Sequence, residues 1–187
     1  MRIGTYTFDE FAEEVRRFHG SPAPGVIIGG FMVDAAKAGL PDGVLFEAIC
    51  ETRICLPDAV QLTTPCTLGN GRLRVAHVGR FALTLYDKIS GEGVRAFIVT
   101  KKLDRWPTIK EWFLKLRPKA EQDTGKLIEE IREAGTDYIG TARVRVDPEY
   151  FGKKKIGPVR VCPGCGEAYP ASDGERCGGC RGELPYE

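Results

Sequence analysis

The residues best equipped for chemistry are cysteines, and four of the seven stand in two pairs near the C-terminus. Cys162-x2-Cys165 and Cys177-x2-Cys180 are separated by 11 residues within CPGCGEAYPASDGERCGGC. A CxxC turn lets two sulfurs of one tight loop reach a single ion, and two such loops close a tetrahedron. Gly164, Gly166, Gly178 and Gly179 suit the backbone of such knuckles, where a positive φ is common. The segment after Asp147 has few aliphatic residues and cannot build its own core, so it needs a staple. Two disulfides or free thiols are the alternatives, but paired CxxC units in a chain without an export signal favour a structural metal, zinc ahead of iron because only the first knuckle looks like that of a rubredoxin. A closed four-sulfur site leaves no open position, so this metal holds structure and performs no hydrolysis.

The second candidate group surrounds CLPDAVQLTTPCTLGNG, residues 55–71. Cys55 lies between a strand pattern and a helix pattern, where the helix dipole favours a thiolate and a pKa below that of free cysteine. Asp58 and Gln61, at i and i+3, share one face of that helix. Cys66 follows the Pro65 stop and enters a Gly-rich turn, and His19 sits in the proline-braced loop HGSPAPG. By local chemistry His19, Cys55 and Cys66 form a candidate cluster for a metal or a small molecule. An eight-residue helix spans about 12 Å, so Cys55 and Cys66 share one metal only if the TTPCT turn folds back. Each residue also has a plain structural reading: cysteines at helix ends pack, and Asp58 complements the dipole. Cys50 reads as a small buried hydrophobe and His77 as structural or exposed.

The elements that must position these groups follow from pattern. Thr7-Phe-Asp-Glu10 has the form of a capping box and opens a helix over about 8–18. VIIGGFMVDAAKAGL reads as a second helix whose Gly29-Gly30 pair marks close packing or close approach of a ligand. Residues 44–54 alternate, with Phe46, Ala48, Cys50, Thr52 and Ile54 on one face and Glu47, Glu51 and Arg53 on the other, as in a half-buried strand. Pro57 and Pro65 bound a short helix. RLRVAH, FALTLYD, VRAFIVT and YIGTARVRV are strands, and IKEWFLKLR, behind a Thr108-x-x-Glu111 capping signature, and GKLIEEIREAG are helices. The expected class is α+β, a mainly antiparallel sheet with packed helices plus a small C-terminal zinc finger of treble-clef or ribbon type. The expected organisation is a core domain at 1–150, a basic linker at 151–160 and a four-cysteine finger at 161–187.

Charge and composition exclude several partners. Formal net charge is +1, so no global field recruits nucleic acid or an anionic membrane. From residue 153 onward six Lys or Arg face five Asp or Glu, so the Lys run reads as a solvated linker and nucleic-acid binding is not expected. MRIGTYTFDEF carries acids where a signal peptide needs an apolar core, and a cytoplasmic protein is expected. No Gly-rich phosphate loop, serine elbow or HExxH places the chain in a standard enzyme class.

The combination Phe18-His19-Gly20, Pro24-Gly25, Cys55-x-x-Asp58-Ala59-x-Gln61 and Cys66-Thr67-x-Gly69-x-Gly71 resembles the FmdE component of formylmethanofuran dehydrogenase and its relatives. The resemblance covers most of the core, and some relatives also carry a treble-clef finger with four cysteines. It implies an α+β core, a homodimer, the polar residues above gathered in one site, and contact with other oxidoreductase subunits. The namesake enzyme reduces carbon dioxide onto methanofuran at a molybdenum or tungsten pterin held by a different subunit. This sequence departs from the family loop His-Gly-His-x-Cys-Pro-Gly, because Ser21 and Ala23 stand where the second His and the Cys would be, and Pro65 replaces a Gly. Two expectations from different classes result. One is an accessory protein with a core pocket and a second, core-bound metal; the other is a non-catalytic dimeric zinc-finger module for protein or nucleic-acid contacts.

Overall fold

The structure, a computed structural model, describes residues 1–150, 157–184 and 186. The chain divides into two units, Met1–Gly152 and Lys153–Glu187.

In the first unit a two-residue pair, β1 (Arg2–Ile3) with β2 (Tyr6–Thr7), leads into helix α1 (Phe8–His19). The capping box forms as the sequence predicts: Thr7 Oγ1 accepts from the Glu10 N–H at 3.3 Å, and Glu10 Oε2 accepts from the Thr7 N–H at 2.7 Å. Gly20 closes the helix at φ 86, a left-handed conformation that glycine adopts without penalty. Helix α2 (Pro24–Ala38) begins with Pro at its first turn and is buried over most of its length. Its glycine pair serves close packing. A Cβ on Gly29 would meet Ala59 Cβ at 2.6 Å, and one on Gly30 would meet Ile3 Cγ2 and Phe11 Cε1 at 2.6 Å.

Strand β3 (Phe46–Cys50) is followed by helix α3 (Leu56–Thr63) and strands β4 (Leu73–Val75), β5 (Ala82–Asp87) and β6 (Glu92–Ile98). Helices α4 (Pro107–Phe113) and α5 (Thr124–Ala134) precede strand β7 (Ile139–Arg145). The sheet order is β4-β3-β5-β6-β7, antiparallel throughout except that β3 and β4 run parallel with α3 as their crossover. The α+β class and the largely antiparallel sheet agree with the pattern reading. The turn from β3 into α3 therefore lies at the carboxyl end of the one parallel pair.

Two local expectations fail. The strand read over 44–54 stops at Cys50, and Ile54 is 68% exposed instead of facing the core. Glu47 and Glu51, assigned to the polar face, are buried. Glu47 accepts a hydrogen bond from the Tyr86 hydroxyl at 2.9 Å. Glu51 receives the Arg95 guanidinium at 2.6 and 3.0 Å, with Arg80 at 2.7 Å. The second failure is the Thr108 capping box. Trp106 occupies the N-cap, Pro107 the first turn, and no side chain caps the helix; the Ile109 N–H donates instead to Glu130 of α5 at 2.6 Å.

Glu51 gives a pH-dependent prediction. Hydrogen bonding to Arg95, then the charges of Arg95 and Arg80, hold its carboxyl below the usual range. A depressed folded pKa contributes stability that is present above the unfolded value, about 4.3, and lost as pH falls through the folded one. Glu51→Gln is expected to cost about 2 kcal/mol at pH 7, because it leaves Arg95 partly unpaired in a part-buried site. That difference, measured by urea unfolding, is expected to shrink steadily below about pH 4. A pH-independent difference would show that the ion cluster contributes no linked stability.

In the second unit, β8 (Val159–Val161) pairs antiparallel with β9 (Ala168–Pro170), and short 3-10 turns span Ala171–Asp173 and Gly179–Arg181. The linker expected at 151–160 falls largely outside the described residues, and its last two positions already belong to β8.

Candidate functional site

The four tail cysteines come together. One sulfur from each of Cys162, Cys165, Cys177 and Cys180 lies within 4.8 Å of the others. Cys165 Sγ and Cys177 Sγ are 3.7 Å apart, far beyond a disulfide bond and close to the ~3.8 Å edge of a tetrahedron with Zn–S bonds of about 2.3 Å. Backbone N–H groups of Cys177 and Cys180 point at Cys162 Sγ and Cys177 Sγ at 3.5 and 3.4 Å. A Cβ on Gly164 would stand 2.9 Å from Cys180 Sγ, so glycine there makes room for the sulfur. Of the four knuckle glycines, Gly166 alone has a positive φ, 77. Backbone donors from Cys177, Cys165 and Gly164 hold the Cys162 thiol down to about 6, while hydrogen bonds with the other three sulfurs push Cys180 up to about 12. Four thiolates this close need a cation, and the donor set fits zinc.

The core candidates divide into two places. His19, the last residue of α1, lies with Nδ1 2.6 Å from Asp58 Oδ2 in the first turn of α3, and both side chains are 30% exposed. This pairing holds the Nδ1 proton toward the carboxylate and leaves Nε2 as the free ring nitrogen. Cys55 is the N-cap of α3 and holds φ 60, ψ −49. The Leu56 N–H donates to the Ile54 carbonyl across it at 2.7 Å, a γ-turn of the rare strained hand. Such a conformation in a residue with a Cβ costs on the order of 1–3 kcal/mol and is found where the surroundings enforce it. The enforcing neighbour is α2: a Cβ on Gly25 would stand 2.7 Å from Cys55 Sγ, so the thiol is seated on the first turn of that helix.

The expected low pKa of Cys55 is not met. Burial pushes the thiol up and the nearby Asp58 carboxylate pushes it further, so Cys55 is a protonated thiol at neutral pH. Among the described residues no hydrogen bond joins it to His19.

Gln61 and Cys66 do not face this corner. Gln61 Oε1 accepts from the Leu68 N–H at 3.2 Å and ties down the turn after α3. Cys66 is fully buried, its Sγ 3.5 Å from the Phe46 carbonyl at the start of β3. Thr64 leaves the helix in an extended conformation, and the chain turns Cys66 back into the core at the opposite end of the strand from Cys50 and Cys55. Cys50 is fully buried and its thiol is pushed up to about 12 by burial. His77 is exposed. Among the described residues the tail cysteines are the one set of three or more donors within reach of a common metal. A core metal therefore finds no ready donor set here, where Ser21 and Ala23 supply neither imidazole nor thiolate.

A feature absent from the sequence reading is a cleft of about 860 Å³ beside Cys55. It runs between the β3–α3 turn, the loop before β5 and the segment after α4. Phe81, Trp112 and Phe113 form an aromatic wall, with Phe81 and Phe113 edge to face at 5.7 Å. Of the five core candidates only Cys55 lines it.

Fold and cysteine cluster define an α+β core joined to a four-thiolate finger. The family described as "FmdE, Molybdenum formylmethanofuran dehydrogenase operon" matches residues 18–145, and "FmdE treble clef zinc finger" matches residues 153–187. The chain belongs to the FmdE family. It is similar to a solved protein from Syntrophus aciditrophicus described as a "tungsten formylmethanofuran dehydrogenase subunit e (fmde)-like protein", with 52% identity, a TM-score of 0.90 and 100% of both chains covered. It is also 30% identical over 182 residues to a "Probable S-adenosyl-L-methionine-binding protein" of Archaeoglobus fulgidus, covering 90% of this chain. The chain spans about half, 47%, of that relative's length. No helix among the described residues is long and apolar enough to cross a membrane.

Proposed function

We propose that this protein is an FmdE-like accessory protein that binds a small molecule in the cleft beside Cys55, with a structural zinc finger. The observation that carries this reading is the strained Cys55 turn at the edge of an aromatic cleft, at the start of the helix whose Asp58 pairs with His19 of α1. Strain of this kind persists where a side chain must be presented in one direction. The family's link to formylmethanofuran dehydrogenase supports an accessory role beside other oxidoreductase subunits, and we extend to this chain the family's homodimer and a cytoplasmic setting.

The S-adenosylmethionine named for the Archaeoglobus relative is a poor match for this cleft. That molecule carries a sulfonium and an ammonium against one carboxylate, and the cleft lining contains no Asp or Glu to receive them.

The test is thiol labelling of the zinc-loaded protein. Cys50 and Cys66 are buried and the tail thiols hold metal, so Cys55 is expected to be the one thiol that reacts with iodoacetamide. Asp58→Asn removes the like charge that raises the Cys55 pKa, so labelling at pH 8 is expected to accelerate about three- to tenfold. A small molecule retained in native mass spectra of the purified protein is expected to slow labelling and to be lost on Cys55→Ala. Labelling that ignores both Asp58 and the retained molecule would sink the reading.

A further inference from the structure

We infer that the cleft selects an organic anion: a carboxylate, sulfonate or phosphate carried on a flat aromatic or apolar body. The inference rests on the small-molecule reading above and names the class of ligand.

The lining supplies both halves of that recognition. Its apolar half is the aromatic wall of Phe81, Trp112 and Phe113, with Ile54 and Leu116 at 68% and 60% exposure. Large apolar side chains left this exposed around a concavity mark a surface that a ligand covers. Its charged half is entirely cationic. Arg80, Lys115, Arg117 and Lys119 line the cleft, and no carboxylate does.

Existing ion pairs leave part of that charge unanswered. Arg80 lies 2.7 Å from Glu51, but Glu51 already receives Arg95 at 2.6 Å, so one carboxylate serves two guanidiniums. Arg117 is matched by Glu111 at 3.1 Å. Lys115 and Lys119 have no ion pair among the described residues. The chain as a whole is nearly neutral at +1, so this one-sided cleft is a local arrangement and does not reflect a basic protein. Lys115 also holds φ 53, a backbone conformation that residues with a Cβ avoid, in the turn that brings Lys115, Leu116 and Arg117 to the cleft. An anion placed over an aromatic wall and beside lysines gains Coulomb attraction in a region partly shielded from water, where charge pairs count for more than on open surface.

Cys55 is protonated, so it offers an S–H and not a competing negative charge to an anion in the cleft. No covalent step is implied.

The experiment compares two dyes on the full zinc-loaded chain: 8-anilinonaphthalene-1-sulfonate and its uncharged parent, N-phenyl-1-naphthylamine. The sulfonate is expected to bind at one site, to quench Trp112 fluorescence, and to bind at least tenfold more tightly than the neutral dye at low salt. Raising ionic strength is expected to weaken the sulfonate and leave the neutral dye unchanged, because only the former relies on charge. Lys115→Gln with Lys119→Gln, both at exposed positions where the fold tolerates change, is expected to erase most of the difference between the dyes. Equal binding of both dyes, or a sulfonate affinity unmoved by the lysine pair, overturns the anion inference while the small-molecule cleft stands. Binding of neither dye overturns both.

Discussion

A chain carrying Cys180→Ser is expected to lose its zinc and to unfold over residues 153–187 while residues 1–152 keep their structure. The second unit has little else to hold it. Among its described residues only Cys162 and Tyr169 are buried, and its sheet is a three-residue pair. Folding of such a segment draws on metal binding itself, worth about 10–16 kcal/mol for structural zinc at neutral pH. The first unit, by contrast, has a continuous core of buried residues from Ile3 to Ile139, all of them, among the described residues, its own. A chain ending at Gly152 is expected to melt at the same temperature as the core of the full protein. Metal analysis is expected to give about one zinc per full-length chain and none in either variant. Zinc retained by Cys180→Ser, or a core that fails to fold without the tail, would falsify the separation.

The second large effect concerns Gly25. Gly25→Ala places a Cβ 2.7 Å from Cys55 Sγ and 3.0 Å from Cys55 Cβ, closer than real contacts allow. Rotation about χ1 could move the sulfur but not the Cys55 Cβ at 3.0 Å, so the cost is expected to be about 1–3 kcal/mol. Cys55→Gly alone is expected to cost less than removal of a core side chain, because glycine relieves backbone strain of roughly 1 kcal/mol or more. In that background the clash is gone, the remaining neighbour, Trp112 Cη2 at 3.6 Å, is at ordinary contact distance, and Gly25→Ala reverses sign. It is then expected to stabilise by up to about 0.5–1 kcal/mol through helix propensity. Additive effects in this cycle, measured by urea unfolding, would mean that the thiol and the helix are not in the contact described.

How far the sequence disclosed this arrangement depended on how local each determinant was. Thr7 and Glu10 satisfy each other within one turn, so their capping box was readable from four residues. Thr108 and Glu111 carry the same signature, but the Ile109 N–H is taken by Glu130 from another helix, and no pattern within four residues shows that. Alternation over 44–54 continued past the true end of β3 because period two says where side chains point and not where pairing stops. The tail site was legible because ligand spacing is itself the geometry. Asp58 and His19 belong to separate helices, and only family resemblance linked them in advance. The Cys55 turn and the cleft were not legible at all: one is imposed by Gly25 from thirty residues away, the other by a segment after α4 that has no motif.

The margins of the five-stranded sheet bear on how copies of this chain can meet. At one side β4 offers three residues, too few to template another strand with much gain. At the other, β7 is longer but largely exposed and carries Arg143 and Arg145. A like strand laid antiparallel against it in the register that centres on Val144 would set Arg143 of one copy opposite Arg145 of the other, and repulsion of that kind is how soluble proteins discourage sheets from growing end to end. Self-association of this core is therefore expected to run through side chains of its helices and loops, and the folded protein is expected to resist ribbon-like aggregation despite an open sheet.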